Sequence, residues 1–172
     1  ISIVAIKKRH SLPVFIPPEG TRPKQLRAAI LNWINVLRAG FNLPPFVASE
    51  RLTAIEQQWI QTIPSGSDLS HNDSSCMTPR DRLKAAGVIP DAFGENLGRH
   101  GRLAILLKRM AESPSHRANL LYPHYNKIGI AFNRIDAIGE WTVGFLFARI
   151  AKTGTYTVGR LRHIPTSFWI QV

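Results

Sequence analysis

The sequence predicts an α+β fold, a small antiparallel sheet covered by helices, from three observations. Apolar residues recur at helical spacing early in the chain, with Leu26, Ile30, Trp33, Ile34 and Leu37 on one face, then Leu52, Ile55, Trp59 and Ile63 on another. Later, residues 127–135 and 141–150 are rich in β-branched and aromatic side chains and flank Asp136-Ala137-Ile138-Gly139, the pattern of a hairpin. A length of 172 residues suits one domain that buries roughly two thirds of its unfolded surface, so disulfides are not required. The single Cys76 cannot pair within the chain and leaves the redox compartment open.

In chain order, residues 1–23 contain Pro13, Pro17, Pro18 and Pro23, each of which withholds a backbone donor, and read as an extended arm. The first helix follows and ends at Gly40. A second fits residues 48–63 with Ser49 as N-cap, and Pro64-Ser65-Gly66-Ser67 breaks it. The polar stretch 67–77 reads as a loop, the kind of segment that carries site residues. Thr78-Pro79-Arg80-Asp81 supplies a cap, a first-turn proline and an acid for a third helix, and Gly87 suits its end. Residues 95–98 form a third, short strand. Residues 102–111 read as a fourth helix, and Ser113-Pro114 opens a helical turn that carries His116. The domain is thus expected over 24–150. The basic tail 151–172, where Tyr156, Val158 and residues 168–172 could add strands and Pro165 would interrupt them, has no assigned role. Trp33, Trp59 and Trp141 follow the periodicities of core positions. Leu103, Leu106, Leu107 and Met110 read as core ahead of an apolar groove.

Lys and Arg exceed Asp and Glu by eleven, which directs the surface toward anionic partners such as nucleic acid, anionic lipid or wall polymer. The charge is scattered, with one run at Lys7-Lys8-Arg9, and no helix-turn-helix, zinc-finger or RNP-like pattern turns it into base reading. Specific nucleic-acid recognition is therefore not expected. No apolar stretch approaches the roughly 18–20 residues of a membrane-spanning helix. The chain opens on Ile1, and its apolar start precedes the basic cluster, the reverse of a signal peptide, so it reads as processed or cut from something longer.

Three phrases concentrate the chemistry: Leu69-Ser70-His71-Asn72, Gly94-Glu95-Asn96-Leu97, and residues 113–121 around Ser113 and His116. Imidazole and carboxylate are the groups that bind a divalent cation or move a proton near neutral pH, though their spacing forms no compact ligand pattern. Taken in order with the opening helix at Gln25, Arg38-Ala39-Gly40, Leu43-Pro44-Pro45, residues 79–87, Ile128-Gly129-Ile130 and Trp141-Thr142, these phrases resemble the CAP superfamily of cysteine-rich secretory, antigen 5 and pathogenesis-related proteins. Within it they resemble the bacterial secreted (SCP-like) branch. The resemblance covers about residues 24–150 and implies an α-β-α sandwich and secretion to the cell exterior or envelope. It also implies that His71 and His116 flank one cleft with Glu95 at its floor.

The family's fuller site adds a second glutamate before the second histidine. That place falls near Ser113 here, with Glu112 adjacent, a departure that weakens catalysis more than binding. Two neutral imidazoles leave coordination positions open, so zinc or a similar cation could bind His71 and His116 together with water or Glu95; no cofactor is required. Alternatively the three side chains only hydrogen-bond their own loops. Asn96, Arg117 and Asn119 read as structural ties. Ser70 beside His71 lacks a nucleophile elbow, and Cys76 reads as a small core residue with nothing to activate it. The expected function is a secreted or envelope-associated binding protein for an unidentified small ligand. The alternatives are a metal-assisted hydrolase of peptide or wall material with Glu95 as base, and electrostatic adhesion to anionic polymer or lipid. Oligomeric state is left open.

Overall fold

The computed structural model describes residues 11–17 and 22–151. Helix α1 (Pro23–Ala39) begins at Pro23, which the sequence reading assigned to the arm. A proline at the first helical position gives up only an N–H that has no intrahelical partner, so it starts the helix. Residues 11–17 lie against this helix. Phe15 is buried and meets the Trp33 ring edge-on at 6.4 Å, and Trp33 Nε1 donates to the Pro13 carbonyl at 2.8 Å.

Ala48, expected to open the second helix, instead belongs to a two-residue strand, β1 (Val47–Ala48). Helix α2 (Glu50–Thr62) starts after it, with the Ser49 hydroxyl accepting from Leu52 N as its cap. Helix α3 (Pro79–Ala85) carries a reciprocal Thr78–Asp81 capping box. Strand β2 (Ala92–His100) follows, then α4 (Leu103–Glu112), α5 (Pro114–Leu120), β3 (Lys127–Ile135) and β4 (Glu140–Arg149). Strand β2 is nine residues long, where the sequence suggested four. Its glycines and charges have low strand propensity, and register with β4 from Ala92↔Arg149 to His100↔Trp141 holds it extended.

The sheet order is β1-β3-β4-β2. The sheet is mixed, because β1 pairs parallel to β3 while the other pairings are antiparallel. Beyond β1, side chains of α2 take over the outer edge of β3: Thr53 Oγ1 accepts from Ile130 N at 3.2 Å, and the Gln57 amide accepts from Phe132 N and donates to Phe132 O. A sheet edge is thereby closed by a helix.

Alternation along the strands sorts the core into two layers. Ile128, Ile130, Val143, Phe145 and Phe147 pack with α1, α4 and Leu120 of α5. Leu97, Ala131, Leu146 and Ala148 pack with α2, α3 and Leu69. This is the α-β-α sandwich. Leu103, Leu106, Leu107 and Met110 are core, as are Trp33 and Trp59. An open groove of about 520 Å³ beside α4 is lined instead by residues such as Phe15, Trp33, Ala104, Ile105 and Lys108. Cys76, expected inside, is exposed at a positive φ of 60°. The expected tail strands, at Tyr156, Val158 and residues 168–172, lie outside the described residues.

Candidate functional site

Strand β2 lies at one edge of the sheet, and the candidate residues gather around that edge from both layers. Glu95 and Leu97, register partners of Leu146 and Gly144, belong to the α2–α3 side. Asn96 belongs to the α4–α5 side. The loop after α2 brings His71, and Arg99 holds that loop's start against β2 by donating to the carbonyls of Ser67 at 2.6 Å and Pro64 at 3.0 Å. Arg99 is in addition paired with Glu140 at 3.2 Å.

Gly94 is glycine because helix α5 docks there. A Cβ would lie 2.6 Å from the Tyr125 hydroxyl and 2.7 Å from Asn119 Oδ1. Asn119 donates to Asn96 Oδ1 at 2.9 Å and to the Glu95 carbonyl at 3.3 Å, while Asn96 Nδ2 donates to the His116 carbonyl at 3.0 Å. Fully buried Asn96 is therefore the tie between β2 and α5 that its amide chemistry suggested.

The Glu95 side chain is 2% exposed, and both of its oxygens are engaged. His71 Nδ1 stands 2.7 Å from Oε1, and the Arg82 guanidinium pairs with Oε2. Arg82 also donates to the His71 carbonyl at 2.9 Å and stacks 4.3 Å over the Trp59 ring. His116 hydrogen-bonds the Leu97 main chain, which favours its charged form, but burial and the neighbouring His71 lower its pKa below the ordinary histidine value. The two imidazoles thus sit within each other's field, each with one polar tether.

Arg82 and Glu56 also belong to this cluster. Arg82 shares a face of α3 with Pro79 and Leu83, both buried, and nothing in its spacing marks it. Glu56 had a signal that passed unread, a carboxylate one turn from Leu52 and one from Ile60, inside the apolar stripe of α2. It is fully buried, and burial pushes its pKa well above the ordinary glutamate value. The charge of Glu95 adds to that rise, and Arg82 opposes it.

Other candidates fare differently. The Ser113 hydroxyl lies 3.2 Å from that of Ser115 and caps no backbone N–H, and Glu112 is turned to Lys108 at 3.8 Å. Ser70 is spent locally, its hydroxyl donating to the Asn72 carbonyl and accepting from Asn72 N. Among the described residues, no group of three or more His, Cys, Asp or Glu side chains is placed to hold a metal ion. Glu95, 2% exposed in its side chain, already engages His71 with one oxygen and Arg82 with the other.

A family model for the Cysteine-rich secretory protein family, CAP, matches residues 31–145. The chain belongs to this family. The CAP fold is also that of an extracellular SCP-domain protein of Bacillus anthracis, 19% identical with a TM-score of 0.63 over 77% of this chain. An outer surface protein of Borrelia burgdorferi gives 19% identity and a TM-score of 0.68, covering 75% of this chain and 96% of its own. A cysteine-rich secretory protein of Staphylococcus aureus gives 18% and 0.60 over 77% of this chain. The chain spans 45% of the Bacillus protein and 40% of the Staphylococcus protein. No curated protein sequence matches it. Among the described residues no helix is long and apolar enough to cross a membrane.

Proposed function

We propose that this CAP domain is a secreted or envelope-associated binding module whose cleft offers the imidazoles of His71 and His116 to a divalent cation such as zinc. The carrying observation is the 2.7 Å contact between His71 Nδ1 and Glu95 Oε1. A carboxylate on one imidazole nitrogen fixes the tautomer and leaves Nε2 as a lone-pair donor, the outer-shell arrangement that metal-binding histidines use. His116 is tethered through the Leu97 main chain, and its lowered pKa keeps it neutral, as a ligand must be. Glu95 stands behind His71 in this reading and is not itself a ligand. Two protein ligands leave positions for water or for a group on the binding partner.

Hydrolysis fits less well. A general base must reach the proton it takes, and the Glu95 side chain is 2% exposed with its oxygens held by His71 and Arg82. The Ser70 hydroxyl is bonded to Asn72.

Isothermal titration of zinc into metal-stripped protein at pH 7.5 and 5.5 tests the proposal. One-to-one binding at pH 7.5, weaker in acid as imidazoles take up protons and abolished in His71→Ala/His116→Ala, is expected. Binding that is absent, or unchanged in the double variant, overturns it. Retention on an anionic polymer that survives the double substitution but is lost near 1 M salt, where the Debye length is about 3 Å, would move the function to the basic surface.

A further inference from the structure

The hairpin end of the sheet carries a strip of basic residues that the cleft does not use. His100, Trp141 and Arg134 are register partners across β2, β4 and β3, on the face that α1 and α4 cover. Phe132, two residues before Arg134 on that face, meets the Trp141 ring at 5.9 Å and 64°. Arg27 of α1 lies 5.7 Å over the Phe132 ring, and Arg134 lies 5.4 Å over the Trp141 ring. At the other side of the strip α4 begins, with exposed Arg102 donating its main-chain N–H to His100 Nδ1 at 2.9 Å. Neither α1 nor α4 has an acid in its first turn. Asp136 meets the strip, 2.9 Å from Arg134 and 85% exposed, whereas Glu140 of the same hairpin pairs with Arg99 on the opposite face.

A guanidinium stacked on an aromatic ring keeps its N–H edge free and loses less freedom on binding than a lysine would. Two such groups, spaced by a ring pair that packs against the core, present forks in fixed places, and a guanidinium fork matches phosphate oxygens in pairs. Neighbouring strands stand about 4.8 Å apart, so the basic residues from Arg27 to Arg102 form a line across the sheet. A line of charge suits a chain that repeats its charge. Both rings already have a guanidinium over them, which leaves them poor surfaces for stacking bases.

We infer that this strip is a docking surface for a linear phosphate polymer that carries no bases. It is separate from the two-histidine cleft and does not rest on it.

Calorimetric titration of short-chain inorganic polyphosphate into the whole chain, over a sodium chloride series, tests the inference against a matched control. At the far end of the sheet Arg80 stacks over Phe93 and Arg149 pairs with Asp91, and the Arg149 side chain is 51% exposed against 54% for Arg134. Arg27→Gln/Arg134→Gln should weaken binding about tenfold or more and lower the slope of log affinity against log salt by about 1 to 2. Arg80→Gln/Arg149→Gln, with the same change in net charge, should leave both close to the parent. Asp136→Asn, which frees Arg134, should tighten binding, and Asp91→Asn should not. No polyphosphate binding by the parent, or equal losses in the two double variants, overturns the inference. Two further arms separate other partners. Single-stranded DNA bound more tightly than polyphosphate would assign the surface to nucleic acid. Adsorption to phosphatidylglycerol vesicles that is lost in Ile138→Ser, a residue 60% exposed in the hairpin turn, would assign it to a membrane if polyphosphate does not bind. Either result overturns the inference.

Discussion

Arg82 joins three parts of the molecule at one guanidinium, stacked on Trp59, bonded to the His71 carbonyl and paired with Glu95. Glu56 is fully buried, and its raised pKa makes stability depend on pH. The Glu56 pKa is raised in the folded state, so its contribution is fully present below the ordinary glutamate value and is lost as pH rises toward the raised one. Glu56→Gln has no proton to hold. Its stability relative to the parent should therefore climb by about 1.4 kcal/mol per pH unit across that window. Urea unfolding of both proteins at pH 4, 6 and 8 measures this, and parallel curves would mean that Glu56 is not protonated. That His71, Glu95 and His116 lie near one another was legible because their surrounding phrases were distinctive. Glu56 and Arg82 were not, because a lone charge at helical spacing reads as surface until the opposite wall of the core is known.

At the scale of elements, capping chemistry carried the most information. Ser49, Thr78 and the Ser113-Pro114 pair each mark a helix start to within a residue. Strand β1 and the full length of β2 were hidden, since both are held by partners distant in sequence and not by propensity. The tightest joint is between α2 and β3. A Cβ on Gly129 would lie 2.3 Å from the Leu52 carbonyl carbon and 2.5 Å from Thr53 N, and backbone cannot swing aside as a side chain can. Gly129→Ala should therefore fall at or beyond the upper end of overpacking costs, about 3 kcal/mol, and lower Tm by on the order of 10 °C. It should also loosen the Thr53 and Gln57 bonds to the β3 edge, read as faster amide exchange at Ile130 and Phe132. Arg38 is the corresponding joint between α1 and the end of α5. Fully buried, it donates to the carbonyls of Pro44, Leu120 and Tyr122. A lysine cannot reproduce that fork, so Arg38→Lys should cost about 2 kcal/mol in chemical denaturation.

For the whole molecule, the excess of eleven positive charges has an effect independent of any site. Like charges repel in the compact state, and salt shortens their reach from about 10 Å at 0.1 M to about 3 Å at 1 M. Tm should rise as sodium chloride increases over that range; a flat or falling trend would mean that local pairs such as Arg99–Glu140 outweigh the net repulsion. The same salt series should leave zinc binding at the cleft nearly unchanged, because short bonds to a metal are not screened as distant charges are.

The two imidazoles reach the edge of β2 from opposite covers of the sandwich, His71 with the α2–α3 layer and His116 with the α4–α5 layer. Whatever grips both would act as a clasp, fastening the two halves of the molecule over the rim of the sheet. Occupancy would then be felt far from the cleft, as slower breathing of the entire β2 strand, and the empty domain would be the more easily opened form.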